Sequence, residues 1–259
     1  MSVRVPPHRA EIARARLLER FPDGFEEHDL PDALELAVYT DEAGEAAVRE
    51  LALGSVAWTP VAGGWEDGWK SFHRPTRVAG LWIGPPWEDA PGEGAVVVDP
   101  GRAFGTGAHP TTRACIELLA RLQTGSLVDA GCGSGVVAVA ALRLGFGPVV
   151  ALDRDAVAVE VARETARRNG VELEVRQGDV LLDDLPAADV VVANIELRVV
   201  EALLERRPAP VAVTAGYLAH ESPRATGWEV VSRIELDGWA AHALATSPER
   251  GEVARRPGH

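Results

Sequence analysis

The sequence predicts an α/β protein with a doubly wound, mostly parallel sheet, preceded by a smaller α+β domain. Three observations predict this class. From residue 94 onward, short apolar runs alternate with amphipathic helical segments, which is typical of a parallel sheet covered by helices on both faces. Residues 1–62 instead place two helical segments among four strand-like runs. The length of 259 residues suits one large domain and one small domain.

The first 62 residues have the element order β-α-β-β-α-β. The strand-like runs are Ser2–Val5, Phe25–Leu30, Ala33–Tyr39 and Ser55–Val61, and the helical segments are Arg9–Arg20 and Asp41–Leu51. Pro22–Asp23–Gly24 ends the first helical segment, because proline and glycine interrupt helices. This order is that of the ferredoxin-like split motif, which many unrelated functions share. Residues 1–62 therefore predict a ferredoxin-like domain without indicating its function.

Residues 63–93 form a connector that is rich in tryptophan and proline. Five of the seven tryptophans lie between positions 58 and 87, namely Trp58, Trp65, Trp69, Trp82 and Trp87. Trp65 and Trp69 are four residues apart and would share one face of a helix. A structureless loop of this length is unusual in a compact protein, so we expect a packed connector with an apolar seam.

Residues 94–259 carry the alternating pattern of the larger domain. The apolar runs are Ala95–Val98, Ser126–Ala130, Val149–Leu152, Val190–Ala193 and Pro210–Thr214, and the helical segments are Thr111–Gln123, Val136–Leu144, Asp155–Asn169 and Leu197–Arg206. At the end of the chain, Asp237–Gly238 separates the two strand-like runs Trp228–Leu236 and Trp239–Thr246. Because Asp-Gly between such runs is a hairpin signal, we expect the sheet to finish with an antiparallel strand.

Composition restricts the classes of function. The apolar share of 46% and the charged share of 25% are those of ordinary globular proteins, and no run of 18 apolar residues indicates a membrane span. The N-terminal residues M-S-V-R-V-P-P-H-R lack the apolar core of a secretory signal. Only two cysteines occur, Cys115 and Cys132, which favours a reducing compartment over a disulfide framework. We therefore expect a cytoplasmic protein that does not bind membranes.

The charge of the chain bears on its partners. The formal net charge is −13, which disfavours direct binding to nucleic acid and attracts basic partners. Residues 1–62 hold 12 of the 39 acidic residues against 6 basic ones. This excess either serves solubility or recruits a basic partner. The single lysine, Lys70, lies in the connector among the tryptophans.

The most informative stretch for chemistry is Leu127–Val128–Asp129–Ala130–Gly131–Cys132–Gly133–Ser134–Gly135. A strand ends here, glycines form a turn and a helix begins. Glycines let the backbone approach a ligand closely, and a helix N-terminus favours negative charge. The dinucleotide fingerprint would have a further glycine at position 136, where this chain has Val136. A glycine-rich turn alone is a weak signal, and this one argues against NAD.

Polar residues at the ends of successive strands strengthen the prediction of a cofactor site. Asp153 ends the next strand, 24 residues after Asp129, where an acid binds ribose hydroxyls. Asp179 follows the third strand and could meet an adenine amino group, and Asn194 ends the fourth strand. The carboxyl ends of parallel strands form one edge, where open α/β sheets bind ligands. Four such residues in register predict a nucleotide-like cofactor.

Together these pieces resemble the class I S-adenosylmethionine-dependent methyltransferases. The matching residues are the D-A-G-C-G-S-G turn, Asp153, Asp179 and the A-N-I of residues 193–195. The stretch D-P-G-R-A-F-G-T-G-A-H-P-T-T, residues 99–112, resembles the signature of the PrmA-type methyltransferases, which modify ribosomal protein L11. The connector sequences W-E-D-G-W-K-S-F-H-R-P and L-W-I-G-P-P-W resemble the same family.

The resemblance implies a seven-stranded Rossmann-like sheet, S-adenosylmethionine as cofactor and a set of site residues. Those implied to bind the cofactor are Thr112, Asp129, Gly131, Gly133, Gly135, Asp153, Asp179, Asn194, Gly105 and Gly107, and those implied to lie beside the reacting groups are Asn194, Phe104 and Thr106. Residues 104–107 match a lid-like loop of the family. His109 is expected to be a hydrogen-bonding loop residue, Cys132 a small filler residue, and no metal is expected.

The implied reaction is methyl transfer from S-adenosylmethionine to lysine ε-amino or N-terminal α-amino groups of ribosomal protein L11, by a monomer. Such amines must lose a proton before attack, and no dedicated base is evident, so orientation and desolvation would carry the reaction. Thr214–Ala215–Gly216–Tyr217–Leu218 and Glu196 depart from the family pattern and leave the substrate open. The alternatives are a related methyltransferase acting on another protein or a small molecule, and a nucleotide-binding module without methyl transfer.

Overall fold

The structure is a computed structural model of the chain. It describes residues 1–6, 9, 13, 16–17, 26–30, 33–38, 48–49, 51, 53–57, 74–92, 94–100 and 107–246. The chain divides into two compact units, Met1–Gly68 and Trp69–His259. This division falls within the predicted connector, and the limits of 1–62, 63–93 and 94–259 stay a prediction. Trp58, Trp65, Trp69 and Lys70 lie outside the described residues.

The first unit contains an antiparallel sheet of four strands. They are β1 (Ser2–Val5), β2 (Glu26–Leu30), β3 (Ala33–Ala37) and β4 (Ser55–Ala57), in the order β2-β3-β1-β4. Every neighbouring pair is antiparallel, and β3 lies between β1 and β2 as in the split motif. Alternate residues of β1 and β3 are buried with residues of the helical positions 13, 17 and 48. The strand order is thus the one that the ferredoxin-like motif predicts, whereas most of the predicted helices Arg9–Arg20 and Asp41–Leu51 lies outside the described residues.

The first described strands of the second unit form a small sheet that the sequence did not indicate. Its strands are β5 (Thr76–Val78), β6 (Leu81–Gly84) and β7 (Val96–Val97), in that order. We expected Ala95–Val98 to belong to the main alternating pattern, but β7 instead pairs in parallel with β6, with Ile83 opposite Val96. Both of these side chains are buried. The last part of the predicted connector therefore belongs to the larger unit, where it forms the strands β5 and β6 of this small sheet.

Among the described residues, the main sheet has seven strands and four flanking helices. The helices are α1 (Pro110–Leu119), α2 (Val136–Arg143), α3 (Ala156–Arg168) and α4 (Leu197–Glu205). The strands are β8 (Leu127–Ala130), β9 (Val149–Asp153), β10 (Glu174–Gln177), β11 (Val190–Asn194), β12 (Val211–Leu218), β13 (Trp228–Leu236) and β14 (Trp239–Thr246). The strand order is β10-β9-β8-β11-β12-β14-β13.

The pairing confirms the doubly wound, mostly parallel sheet. The five strands from β10 to β12 are parallel, whereas β14 is antiparallel to both β12 and β13, as the Asp-Gly hairpin predicted. Alternate residues of β11 are buried in two separate cores, one shared with α1, α2 and α3 and the other with α4. Helices therefore cover both faces. Only Val175 of β10 is buried, which explains why this edge strand lacks an apolar run.

Asn169, at the C-terminal end of α3, fastens the small sheet to the helical layer. Its Oδ1 accepts a hydrogen bond from the backbone N–H of Val97 at 2.7 Å, and its Nδ2 donates to the Val97 carbonyl at 2.7 Å. Nδ2 also donates to the carbonyl of Thr165 within α3 at 2.8 Å. The amide thus pairs with β7 as a neighbouring strand would, and it satisfies backbone groups at the end of this two-residue strand.

Candidate cofactor-binding site

The site lies where the strand order reverses. The chain runs from β8 outward to β9 and β10, and then returns to β11 on the other side of β8. Because crossovers on the two sides of β8 diverge at this point, open α/β sheets bind ligands here, in a crevice at the carboxyl ends of the strands. Gly131 directly follows β8, Asp153 ends β9 and Asn194 ends β11. The structure thus brings these three predicted residues to one edge of the sheet.

The glycine turn is shaped by contacts inside the protein as well as by its openness to a ligand. Gly131, Gly133 and Gly135 have φ values of 79°, 52° and 76°, which L side chains rarely adopt. A Cβ atom on Gly131 would lie 2.5 Å from Cγ2 of Ile195. The residue after Asn194 therefore packs directly on the turn after β8. A larger residue at position 131 would disturb both strands even without a ligand.

Asp153 orders the same turn. One carboxylate oxygen, Oδ2, accepts a hydrogen bond from the N–H of Gly133 at 2.9 Å, and Oδ1 accepts from the N–H of Asp155 at 3.0 Å. Each carboxylate oxygen has a second lone pair, so the side chain can still accept hydrogen bonds from two hydroxyls. Asp153 thus fixes the backbone around the turn and is half-buried at the crevice.

Asn194 carries the clearest sign of a ligand-binding position. Its Nδ2 lies 3.4 Å from Oγ1 of Thr112, a buried hydroxyl of α1. Its Oδ1 is buried and has no hydrogen-bond partner among the described residues. An unsatisfied buried acceptor costs about 1–3 kcal/mol. A donor from a bound molecule at the end of β11 would remove that cost.

Asp129 is buried beneath the glycine turn, with 2% of its surface exposed. The N–H of Ala138, in the first turns of α2, donates to its carboxylate, and the Oδ2 atom has no partner within the part of the chain that the structure describes. Burial raises the pKa of Asp129 to about 7, opposed by the Ala138 N–H and reinforced by the charge of Asp153. A cation placed nearby would favour the ionised form.

Of the remaining site residues that the sequence predicts, two are among the described residues and three are not. Asp179 lies two residues beyond β10, and its Oδ1 accepts from the N–H of Leu181 at 2.8 Å. Gly107 has a φ of 82° and packs closely on Ile83 of β6. Phe104, Gly105 and Thr106 lie outside the described residues.

His109 and Cys132 have the structural surroundings expected of them. His109 caps α1, with Nδ1 at 2.8 Å from Oγ1 of Thr111, and its ring meets the edge of Trp239 at 5.0 Å. Burial raises the pKa of the Cys132 thiol, with the charges of Asp129 and Asp153 adding to the effect, so the thiol remains protonated and weakly nucleophilic. The described residues contain no group of His, Cys, Asp or Glu able to hold a metal ion.

The sequence did not predict the buried polar cluster that Thr214, Tyr217 and His242 form. The Tyr217 hydroxyl lies 2.8 Å from Oγ1 of Thr214 and 2.9 Å from Nδ1 of His242. A register shift at Gly216 brings β12 against the backbone of Ile195 and turns Tyr217 inward. Burial, with the positive charge of Arg233, lowers the pKa of His242 to about 4. The only signal in the sequence was the departure at residues 214–218.

The strand order and the helices on both faces are those of the class I methyltransferase fold. A ribosomal protein L11 methylase from Lactobacillus delbrueckii subsp. bulgaricus superimposes with a TM-score of 0.55 and 24% identity, covering 64% of this chain and 94% of that one. The family model described as ribosomal protein L11 methyltransferase (PrmA) matches residues 32–242. The chain belongs to this family.

Relatives agree with that membership. A ribosomal protein L11 methyltransferase of Symbiobacterium thermophilum is 41% identical over 229 residues, which are 80% of this chain and 75% of the relative. One of Pseudomonas putida is 39% identical over 192 residues, 68% of this chain and 65% of the relative. The matched region thus spans about two thirds to three quarters of these relatives.

The pKa of Asp129 predicts how substitution changes stability with pH. Its folded-state pKa is above that of an unfolded aspartate, so its contribution to stability is lost as pH rises through about 4–7. We expect Asp129→Asn to raise the free energy of unfolding of the ligand-free protein at pH 8 by about 1–3 kcal/mol. Urea unfolding followed by circular dichroism at pH 5 and pH 8 measures this.

The control for Asp129 is a carboxyl with the opposite shift. Hydrogen bonds from the Ser126 hydroxyl and N–H lower the pKa of Asp189. Asp189→Asn should therefore lower stability at pH 8. Unfolding curves of Asp129→Asn and the wild type that keep the same separation at both pH values would contradict the assignment.

Asp153 should contribute directly to cofactor affinity. We expect Asp153→Ala to weaken binding of S-adenosylhomocysteine about tenfold to a hundredfold, because charge-assisted hydrogen bonds are lost. Asp153→Asn keeps one oxygen and should weaken binding less. Asp155→Ala is the control, because Asp155 caps α3 through the Val157 N–H and contributes to helix stability. Titration calorimetry measures the affinities, and an unchanged affinity for Asp153→Ala would rule out this role.

Proposed function

We propose that this chain transfers methyl groups from S-adenosylmethionine to amino groups of ribosomal protein L11, at lysine side chains or the N-terminus. The observation that carries the proposal is membership of the family over residues 32–242, together with relatives that bear this name. The names of the relatives indicate the substrate, whereas the residues at the crevice support the choice of cofactor and the type of reaction.

The residues present at the crevice fit S-adenosylmethionine. Asp153 retains free lone pairs for ribose hydroxyls, and Asp179 lies beyond the neighbouring strand, where it can accept a hydrogen bond from the adenine amino group. Gly131 is a proposed contact through its backbone, and the buried oxygens of Asn194 and Asp129, which have no partner among the described residues, could accept donors of the cofactor or face its positive charge. When bound, the cofactor supplies a methyl group on a positively charged sulfur.

Asn194 is the candidate catalytic residue for orienting the amine. Its buried Oδ1 can accept an N–H of the incoming amine, while its Nδ2 faces Thr112 and fixes the orientation of the side-chain amide. The amine must be neutral to attack, so it would first lose one proton to solvent. Its nitrogen would then form the bond to the methyl carbon while the carbon–sulfur bond breaks and its electron pair stays on sulfur. We identify no dedicated base among the described residues, so Asn194 contributes mainly by orientation. Phe104 and Thr106 remain proposed neighbours of the reacting groups.

The setting of the reaction belongs to the same proposal. We propose a monomer in the cytoplasm that binds a basic protein and does not bind nucleic acid or membranes directly. The net charge of −13 supports a basic partner. Both cysteines are buried and unpaired, and no described helix has the length and apolar character needed to span a membrane.

We further propose that residues 1–62, with 12 acidic residues, recruit the substrate and that Trp65, Trp69 and Lys70 help position it.

A second candidate keeps the reaction and changes the substrate. Residues 214–218 depart from the family pattern, and Gly216 among them lies against the backbone of Ile195, the residue after Asn194. Transfer to another protein or to a small molecule is therefore the alternative to L11.

Methylation of purified L11 tests the proposed function. We expect the wild type to add methyl groups to L11 in the presence of S-adenosylmethionine, visible by intact-mass spectrometry and mapped by peptide sequencing. Asn194→Ala should lower kcat about tenfold to a hundredfold, because one hydrogen bond to the amine is lost. Arg198→Ala is the control. The Arg198 side chain is 90% exposed and lies four residues after Asn194, so this variant should retain activity. Binding of S-adenosylmethionine without any methylation of L11 would favour the second candidate.

Charge reversal on β2 tests recruitment of the substrate. Glu26, Glu27 and Asp29 lie on this strand, and changing all three to lysine should raise KM for L11 about tenfold at low salt while kcat stays similar. The difference should shrink at high salt, since surface charges are screened. Changing Glu160, Glu172 and Glu174 of the larger unit gives the same change of net charge and is the control. Equal effects of the two triple variants would show that only net charge matters.

A further inference from the structure

Arg206, the C-terminal cap of α4, reaches the segment that follows β10. Its Nη1 donates to the carbonyl of Val180 at 2.6 Å and its Nη2 donates to the carbonyl of Asp183 at 2.8 Å. These residues lie 26 and 23 positions earlier in the chain. One guanidinium thus joins the end of α4 to two points of the loop that carries Asp179.

The bonded segment, residues 179–183, is a single turn of helical type. The N–H groups of Leu182 and Asp183 donate to the Asp179 carbonyl at 3.1 and 2.9 Å. The Asp179 N–H donates to Oδ2 of Asp183 at 2.8 Å, and Oδ1 of Asp179 accepts from Leu181. A single turn is unstable on its own, because fixing its backbone angles costs more than one or two hydrogen bonds return.

Arg206 compensates for this instability in two ways. The carbonyls at the end of a turn have no partner within it, and the guanidinium satisfies two of them at once. Three acids, Asp179, Asp183 and Asp184, fall within six residues and repel one another. The positive charge beside them offsets that repulsion. A lysine has one ammonium point charge in place of a planar fork and would match the two carbonyls less well.

The turn is connected to the cofactor edge of the sheet. The N–H of Gly178 donates to the Asp153 carbonyl at 2.9 Å, so the turn begins beside the acid proposed to bind the ribose. The Asp179 carboxylate then depends on the turn for its orientation, because one of its oxygens is bonded inside that turn. A loss of order in residues 180–183 would release the carboxylate.

We propose that Arg206 is a positioning residue that holds the 179–183 turn so that Asp179 selects the amino group of adenine. The inference rests on the proposed function, since it presupposes an S-adenosyl cofactor in the crevice. Arg206 contacts backbone carbonyls of the turn and acts on the ligand through Asp179.

The neighbouring arginine provides a matched control. Arg207 also lies at the end of α4, but its Nη2 donates to the carbonyl of Thr226 at 3.3 Å, on a different loop. Arg206→Ala and Arg207→Ala each remove one guanidinium from the end of α4. A general effect of charge or of the end of α4 would therefore appear in both, whereas an effect on adenine recognition would appear only with Arg206.

The test compares two ligands by titration calorimetry with the full-length protein: S-adenosylhomocysteine, and S-inosylhomocysteine, in which an oxygen replaces the amino group. We expect the wild type to prefer the adenosyl ligand, because a carboxylate accepts from an amino group and repels a carbonyl oxygen. Arg206→Ala should weaken adenosyl binding about fivefold to twentyfold and change inosyl binding less than about twofold, so that selectivity falls. Arg206→Lys should be intermediate, and Arg207→Ala should match the wild type.

Hydrogen exchange of the Leu181 and Asp183 amides provides a second measurement, and both should exchange faster in Arg206→Ala than in Arg207→Ala. If Arg206→Ala does not fold, Arg206→Lys takes its place in both measurements with the same expected direction. Equal weakening of both ligands, or no change of selectivity in a wild type that binds S-adenosylhomocysteine, would overturn the role of Arg206 alone. Failure of the wild type to bind S-adenosylhomocysteine would overturn the proposed function and this inference together.

Discussion

The close approach of Gly131 to Ile195 is the contact on which the rest of the site depends. It brings the turn after β8 against the first residue after β11, at the point where the strand order reverses. The same Ile195 meets the backbone of Gly216 from β12. Three neighbouring strands are thus held at their carboxyl ends through one residue. Asn194 lies immediately before it, so the position of its unpartnered oxygen follows from packing on both sides.

The parts of the fold that could be predicted are those encoded in local sequence. The Asp237–Gly238 turn predicted the antiparallel hairpin, and the glycines after Asp129 predicted the strand–turn–helix unit, because each signal lies within a few residues of the element it forms. The carboxyl-edge positions of Asp153 and Asn194 followed from the parallel sheet. In each case the pattern and the element coincide along the chain.

The parts that could not be predicted depend on distant partners. Asn169 bonds Val97 across 72 positions, and Tyr217 bonds His242 across 25, with no repeated spacing to reveal either pair. The run at 95–98 has the composition of a central strand, but its partner is β6, and hydrophobic pattern alone does not identify a partner. Gly131 was interpreted as an approach to ligand, whereas its contact with Ile195 becomes visible only once β8 and β11 are paired.

The buried side chains of Asp129 and His242 together determine how many protons the chain takes up or releases when it unfolds. Between about pH 4 and pH 6.5 the folded chain holds a proton on Asp129 that an unfolded aspartate would have released. Over the same range it lacks the proton that an unfolded histidine would carry at position 242. One extra proton and one missing proton cancel, so these residues together make unfolding nearly proton-neutral in mild acid. A ligand that ionises Asp129 removes that balance, and the histidine then makes the folded protein progressively more sensitive to acid.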